Sequence, residues 1–249
     1  MTTLYMIEQH DQLLHLWREQ RAVGLRVVHL DFHCDLRGLL INRRTQQAYQ
    51  INDQPPELDE GNFLTHAIME GRVERLRWVH RLPGGRQYDV GTVKYETDLT
   101  GRWVSWLLAL KDRPARPIHY EVMEFSAWPG LNQGEFLDID WDFFASLEYP
   151  LNTVQAQVES FLGLDWPIAP QQISLCYSPD FSHPSRPEFE SFAQRLAQKF
   201  GARLVRQPLP VQPVETPAGY KKYIPRSFYR WLRRGYYQTN LWLRQKGIY

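Results

Sequence analysis

The chain has 249 residues, of which 43% are hydrophobic and 23% charged, a soluble globular balance that excludes disorder throughout. No apolar run approaches the ~18 residues of a membrane span, and Cys34 and Cys176 stand too far apart for a disulfide scaffold or a thiolate zinc site to organise the fold. The net charge of +1 conceals an asymmetry, because residues 220–249 carry eight Lys/Arg and no acid while residues 1–219 carry 21 basic and 28 acidic side chains.

In chain order, Leu4–Ile7 reads as a short buried strand. Asp11–Gln20 reads as a helix, with Leu13, Leu14 and Trp17 at helical spacing. The apolar, β-branched run Arg26–Phe32 predicts a second strand. The polar segment Arg43–Glu60, with Pro55-Pro56, predicts a loop, Asn62–Gly71 a helix, and Arg75–Val79 a strand before a Pro83-Gly84-Gly85 turn. Further strands are expected at Trp103–Leu110, Ile118–Phe125, Phe136–Asp140, Ile173–Tyr177 and Ala202–Arg206, and helices at Thr153–Phe161 and Pro187–Phe200. Strands alternating with helices predict an α/β fold with a mainly parallel sheet. Residues 1–207 form the expected folded domain, and 208–249 a Pro-rich connector followed by a basic, aromatic tail. The N-terminus has neither a basic region nor a long apolar core, so no secretory signal is read and a cytoplasmic location is expected.

Two segments carry the chemistry. The first is His29-Leu-Asp31-Phe-His33-Cys-Asp35, in which a strand delivers Asp31, His33 and Asp35 at spacing two, a period that places them on one face. The second is Asp138-Ile-Asp140-Trp-Asp142, where another strand ends in closely spaced carboxylates. Such carboxylates repel one another unless protons or cations compensate. Glu8-Gln9-His10 lies at a third strand end. Carboxylates with imidazoles and no thiolate suit Mn²⁺, Mg²⁺ or Fe²⁺. Their number fits two ions about 3.5–4 Å apart better than one. His29 is expected to point away from His33 and to be structural. The second strand end can be read as an Asp138/Asp140 pair or as Asp140/Asp142, and the apolar lead-in Phe136-Leu137 favours the first.

At these residues the sequence resembles the arginase/deacetylase-like, or ureohydrolase, superfamily. Asp31-Phe-His33-Cys-Asp35 and Asp138-Ile-Asp140, 103 residues apart, are similar to its two strand-end motifs. Glu8-Gln-His10 and Asp138-Ile-Asp-Trp-Asp-Phe-Phe144 resemble a compact branch that contains bacterial peptide arginases, a likeness that extends over Asn62-Phe-Leu, Trp78-Val and Ser178-Pro179. The resemblance implies a three-layer arginase-like sandwich, reduced in size, over residues 1–207. It implies two Mn²⁺ ions and the conversion of arginine side chains in a ribosomally made precursor peptide to ornithine, with release of urea. It makes His10, Asp31, His33, Asp35, Asp138 and Asp140 the metal ligands, and gives Asp35 the further role of orienting the attacking water and taking its proton. Gly61-Asn62-Phe-Leu-Thr-His66 is similar to an arginase element that carries a proton-shuttling histidine, which points to His66, with Asn62 beside it as a substrate contact. Glu8 and Asp180 are candidates to hold the substrate guanidinium, since that cation needs a carboxylate partner.

Alternatives remain at this level. One is another dinuclear-metal hydrolase of the superfamily, agmatinase-like or a deacetylase. The other is a non-catalytic module that binds peptide or nucleic acid through the tail, whose nine aromatics interleave with its cations. The preferred reading has a precursor peptide as partner, no nucleic acid and no membrane, and leaves room for a homo-oligomer.

Overall fold

A computed structural model describes residues 1–42, 45–50, 57–81, 115–147 and 149–207. The Pro83-Gly84-Gly85 turn, the strand expected at Trp103–Leu110, and the connector and tail from 208 onward lie outside the described residues.

Ten strands and five α-helices are present there: β1 (Thr3–Ile7), α1 (Asp11–Glu19), β2 (Leu25–Leu30), β3 (Leu39–Asn42), β4 (Gln47–Gln50), α2 (Phe63–Met69), β5 (Val73–His80), β6 (Ala115–Pro117), β7 (His119–Glu124), β8 (Phe136–Asp140), α3 (Asp142–Ala145), α4 (Val154–Leu162), β9 (Gln172–Cys176), α5 (Arg186–Phe200) and β10 (Arg203–Arg206). Seven strands form one sheet in the order β10-β1-β9-β8-β2-β5-β7. Every pairing in it is parallel.

The period-two alternation of the strands sorts their side chains onto two cores. Val27, Leu76 and Trp78 face α1 and α2, where they pack with Leu13, Trp17, Phe63 and Leu64. Val28, Leu30, Val79, Leu137, Ile139, Ile173 and Leu175 face the other way, against Phe143, Phe144, Val158, Phe161, Phe189 and Phe192 of α3–α5. The result is a three-layer α/β sandwich whose central strands are covered on both faces, as parallel sheets require. α5 starts with Pro187 in its first turn and stops at Gly201, whose φ of +57° is the left-handed helix-ending conformation that glycine adopts without Cβ strain.

One expectation fails. Within the segment read as a loop, Gln47–Gln50 forms β4, which pairs with β3 and β6 in a small antiparallel sheet. Only alternate residues of β4, Ala48 and Gln50, are buried, so its polar composition conceals a strand. No helix among the described residues is long and apolar enough to cross a membrane.

Topology positions the site. From β2 the chain proceeds outward to β5 and β7, then returns to place β8 on the opposite side of β2 and continues to β9. The order therefore reverses between β2 and β8. In parallel sheets such a reversal opens a crevice beyond the carboxyl ends of the strands, where ligands bind.

A carboxylate and imidazole cluster at four strand ends

The carboxyl ends of β1, β2, β8 and β9 converge. His10, just past β1, is the residue that caps α1. Asp138 and Asp140 share one parity on β8, while their neighbours Leu137 and Ile139 pack into the α3–α5 core. They therefore face the α1/α2 layer, as does Cys176 on β9. Asp31 and Asp35 follow β2, and Asp142 opens α3. His10, His29, Asp31, Asp138 and Asp142 are fully buried, and Asp35 and Asp140 nearly so. Phe63, the first residue of α2, roofs the cluster by stacking on the His10 ring at 4.7 Å between centroids and meeting His29 edge-on at 6.0 Å. His33 retains 24% side-chain exposure and marks the side that opens to solvent.

The polar groups form two adjoining sets joined by Asp31. In the first, His29 Nδ1 lies 2.8 Å from Asp138 Oδ2, and Ser174 donates its hydroxyl to Asp138 Oδ1 at 2.7 Å. His10 Nε2 sits 3.2 Å from Asp138 Oδ2. His10 Nδ1 faces Asp35 at 3.1 Å, Asp140 at 3.2 Å and Asp31 at 3.4 Å. Ser178 donates to Asp140 Oδ2 at 2.7 Å. In the second set, His33 Nδ1 lies 3.0 Å from Asp142 Oδ2 and 3.8 Å from Asp31 Oδ1, and the Phe32 amide donates to Asp142 Oδ1 at 3.2 Å. Asp31 offers one oxygen to each set. Its backbone carbonyl accepts from the Trp78 indole at 3.1 Å, and its Oδ1 accepts the His33 amide at 2.6 Å, which fixes the chain where it leaves the strand.

The donor atoms fit a metal ion. His10 Nδ1, His29 Nε2 and Asp31 Oδ2 are buried and make no hydrogen bond, although the two imidazole nitrogens lie 3.4 and 3.2 Å from that Asp31 oxygen. Buried polar atoms in native proteins are almost always hydrogen-bonded, so three that converge without bonding geometry are arranged for another partner. Four triads, His10/His29/Asp138, His10/Asp31/Asp35, His10/Asp140/Cys176 and Asp31/His33/Asp142, each bring three ligand atoms within 4.8 Å of one another.

Protonation without a cation shows the same imbalance. Burial and the neighbouring Asp142, Asp35 and Asp140 push the Asp31 carboxyl well above the usual carboxylate range. Burial and Asp142 push Asp140 up to about 6. Burial opposes charge on Asp138, but His10 and His29 outweigh it and hold that carboxyl well below the usual range. Burial likewise disfavours protonation of His10, yet Asp138 and Asp140 raise it well above an ordinary imidazole. Protons thus stand in for cations in a cluster of five aspartates.

The backbone is left-handed at two non-glycine residues of this rim, Asp35 (φ +52°) and Ser178 (φ +43°). Such conformations cost about 1–3 kcal/mol each and gather at functional sites. Here they bend the ends of the β2 and β9 segments toward the cluster.

All six residues expected to hold metal lie in this cluster, and Asp142 lies with them, so both registers of the second motif meet here. His29 corrects an expectation. Residues 29 and 31 are two apart and share a strand face, so His29 points into the cluster and not away from it. His33 stands apart from Asp35 because β2 ends at Leu30, and the period-two rule lapses beyond it. Cys176 also lines the cluster, and burial raises its thiol well above the ordinary range. Ser174 and Cys176 were legible only as a period-two row on β9, which Ser178 continues just past the strand's end.

The remaining candidates stand around the rim. Glu8 is already engaged in a bidentate pair with Arg186, at 2.6 and 2.7 Å, and that guanidinium lies 4.7 Å over the Tyr177 ring. The Asn62 amide is turned into its own loop, donating to Glu57 O and accepting the Asp59 amide. His66 sits in the middle of α2, one turn beyond Phe63, and Asp180 in the turn after β9.

Three solved structures are similar to this chain. An arginase from Medicago truncatula aligns at 11% identity over 80% of this chain and 58% of that one, with a TM-score of 0.43. A hypothetical agmatinase from Burkholderia thailandensis aligns at 13% identity over 80% and 57%, with a TM-score of 0.35. The proclavaminate amidino hydrolase from Streptomyces clavuligerus aligns at 17% identity over 80% and 64%, with a TM-score of 0.38. The chain spans about three fifths of the length of these structures. No family model and no curated protein matches it by sequence.

Proposed function

We propose that the chain is a metal-dependent amidinohydrolase that converts arginine side chains within a peptide to ornithine and releases urea. The observation that carries this reading is the buried cluster in which Asp31 joins two sets of ligands while His10 Nδ1, His29 Nε2 and Asp31 Oδ2 remain without hydrogen bonds. The sequence resemblance at Asp31-x-His33-x-Asp35 and Asp138-x-Asp140 supports the amidinohydrolase class.

His10, Asp31, His33, Asp35, Asp138 and Asp140 would hold two divalent cations, Mn²⁺ by the resemblance, with His29 and Asp142 completing the set. Bound there, such ions acidify water toward neutral pH and neutralise charge that develops on the substrate. The chain's own residues do the rest. His29 is fixed by its Nδ1 contact to Asp138, which aims Nε2 at Asp31, and an orienting partner of this kind also sharpens ligand basicity. Ser174 and Ser178 fix the two β8 carboxylates. Asp35, 3.1 Å from His10 Nδ1, accepts a proton from the water that attacks the guanidinium carbon. The tetrahedral adduct then breaks its bond to the side-chain nitrogen. The proton held by Asp35 is relayed through His66 to that nitrogen, which leaves as the ornithine amine, and the adduct hydroxyl gives up its proton to the freed amine as the carbon departs as urea. Asn62 and Asp180 stand as substrate contacts. Glu8 joins them by exchanging its Arg186 partner for the substrate guanidinium.

The test is incubation of the purified chain with Mn²⁺ and a capped arginine peptide. Urea release with loss of one cyanamide mass from the peptide is expected, and the doubly substituted Asp138→Ala/Asp140→Ala chain should release none. Turnover of agmatine or free arginine far above that of any peptide would refute the peptide assignment. Unchanged turnover in the double variant would refute the site.

A further inference from the structure

A second charged feature lies on the same rim and has no role in the chemistry above. Arg81 follows β5 directly, and its guanidinium is enclosed by aromatic rings: 4.4 Å from the centroid of Phe125, 4.6 Å from Phe143 and 5.4 Å from Phe144. Its Nε and Nη2 are buried and donate no hydrogen bond. Among the described residues no carboxylate forms an ion pair with it. Burial pulls its pKa down to about 10, so it stays cationic at neutral pH. Three rings attract the cation's face but leave its in-plane donors unsatisfied, and a desolvated charge without a partner is costly. Half-buried Arg18 and the exposed Arg26, Arg37 and Arg195, by contrast, all have acidic partners.

The location is informative. Leu30 pairs with Val79, and the Asp31 amide still donates to Val79 O at 3.3 Å, so the ladder between β2 and β5 reaches the first aspartate of the cluster two residues before Arg81. Phe143 and Phe144, which carry the guanidinium, immediately follow Asp142. Arg81 therefore stands one strand outward from the end of β2, about 5 Å along the rim by strand spacing. The rim carries five aspartates at its centre and, at its edge, a cation with no ion-pair partner among the described residues.

Resting on the amidinohydrolase reading, we propose that Arg81 is a substrate anchor that takes a carboxylate of the arginine-bearing ligand. The Nε/Nη2 edge of a guanidinium matches the two oxygens of a carboxylate in parallel hydrogen bonds. A single negative charge balances Arg81, and a dianion such as phosphate would be repelled by the aspartates beside it. The preferred substrate is thus dipolar, its guanidinium directed to the acidic cluster and its carboxylate to Arg81. That carboxylate has two sources, an acidic residue next to the processed arginine or the free C-terminus of a terminal arginine.

The test separates anchor from chemistry by using lysine probes, which bind but have no guanidinium to hydrolyse. Acetyl-Glu-Lys-amide, acetyl-Gln-Lys-amide and acetyl-lysine free acid are titrated calorimetrically into the full chain, its Arg81→Met variant and its Arg81→Lys variant. Wild type is expected to bind one of the two acids about 10- to 100-fold more tightly than the neutral probe, and which acid wins identifies the source. Arg81→Met should abolish the difference, and Arg81→Lys, which keeps charge but not the planar fork, should retain part of it and carries the test if the Met variant does not fold. Equal binding of acidic and neutral probes, or an acid preference that survives in Arg81→Met, overturns the anchor. Acid preference without urea release from any arginine peptide would leave the anchor standing and refute the amidinohydrolase reading.

Discussion

Asp138 is the most heavily partnered carboxylate of the cluster, with Ser174 on one oxygen, His29 on the other and His10 beside both. Asp138→Asn preserves shape but removes the charge that orients His29. Metal affinity is expected to fall about 10- to 100-fold, with the folded chain retained, as measured by metal titration and circular dichroism. An unchanged affinity would remove Asp138 from the site. The same cluster sets a pH dependence. Asp31 and Asp140 have folded pKa values above their unfolded ones, so the folded state binds more protons than the unfolded state between those values. His10 acts in the same sense at higher pH. The metal-free chain should therefore lose thermal stability as pH rises from about 4 through 6 and on to 8. Saturating Mn²⁺ should reverse that trend, because protons then compete with the ion. Melting curves with EDTA and with Mn²⁺ check both signs. At this scale the acidic residues were legible because aspartates at spacing two after an apolar strand have few structural uses. His29 was equally legible by parity with Asp31, and Arg81 was not, because nothing in Val79-His80-Arg81 announces three rings brought from distant segments.

At the scale of elements, α2 matters for what its first residue covers. Phe63 is fully buried, stacks on His10 and also touches Trp17 of α1. Phe63→Ala should cost about 3–5 kcal/mol of stability and admit water above His10. Denaturant unfolding measures the first effect, and hydrogen exchange at the His10–Leu13 amides the second. A loss below about 1 kcal/mol would show that α2 does not roof the cluster. The central strands and the longer helices were readable from hydrophobic period alone, because each buries a full face. β4 was not, since Gln47-Ala-Tyr-Gln50 buries only two side chains and owes its strand form to pairing with β3 and β6. The point at which β2 ends was also hidden. Apolar character runs on to Phe32, but the Asp31 carboxylate captures the His33 amide and turns the chain.

For the whole molecule, the order β9-β8-β2-β5 brings together chain segments more than a hundred residues apart. The alternation of elements foretells a parallel sheet, but no local pattern foretells that β8 returns beside β2, which is what makes one site of two motifs. The acidic excess of residues 1–219 has a physical place in this arrangement, since five of its carboxylates are withdrawn into one cluster that only cations can neutralise. The most direct measurement is anomalous diffraction from crystals of the chain grown with Mn²⁺. The account expects two peaks about 3.5–4 Å apart, one on each side of Asp31, within ligand distance of His10 and His33 respectively. Crystals at full Mn²⁺ exposure with no peak between His10, Asp31 and Asp140, or with manganese bound only elsewhere, would contradict it.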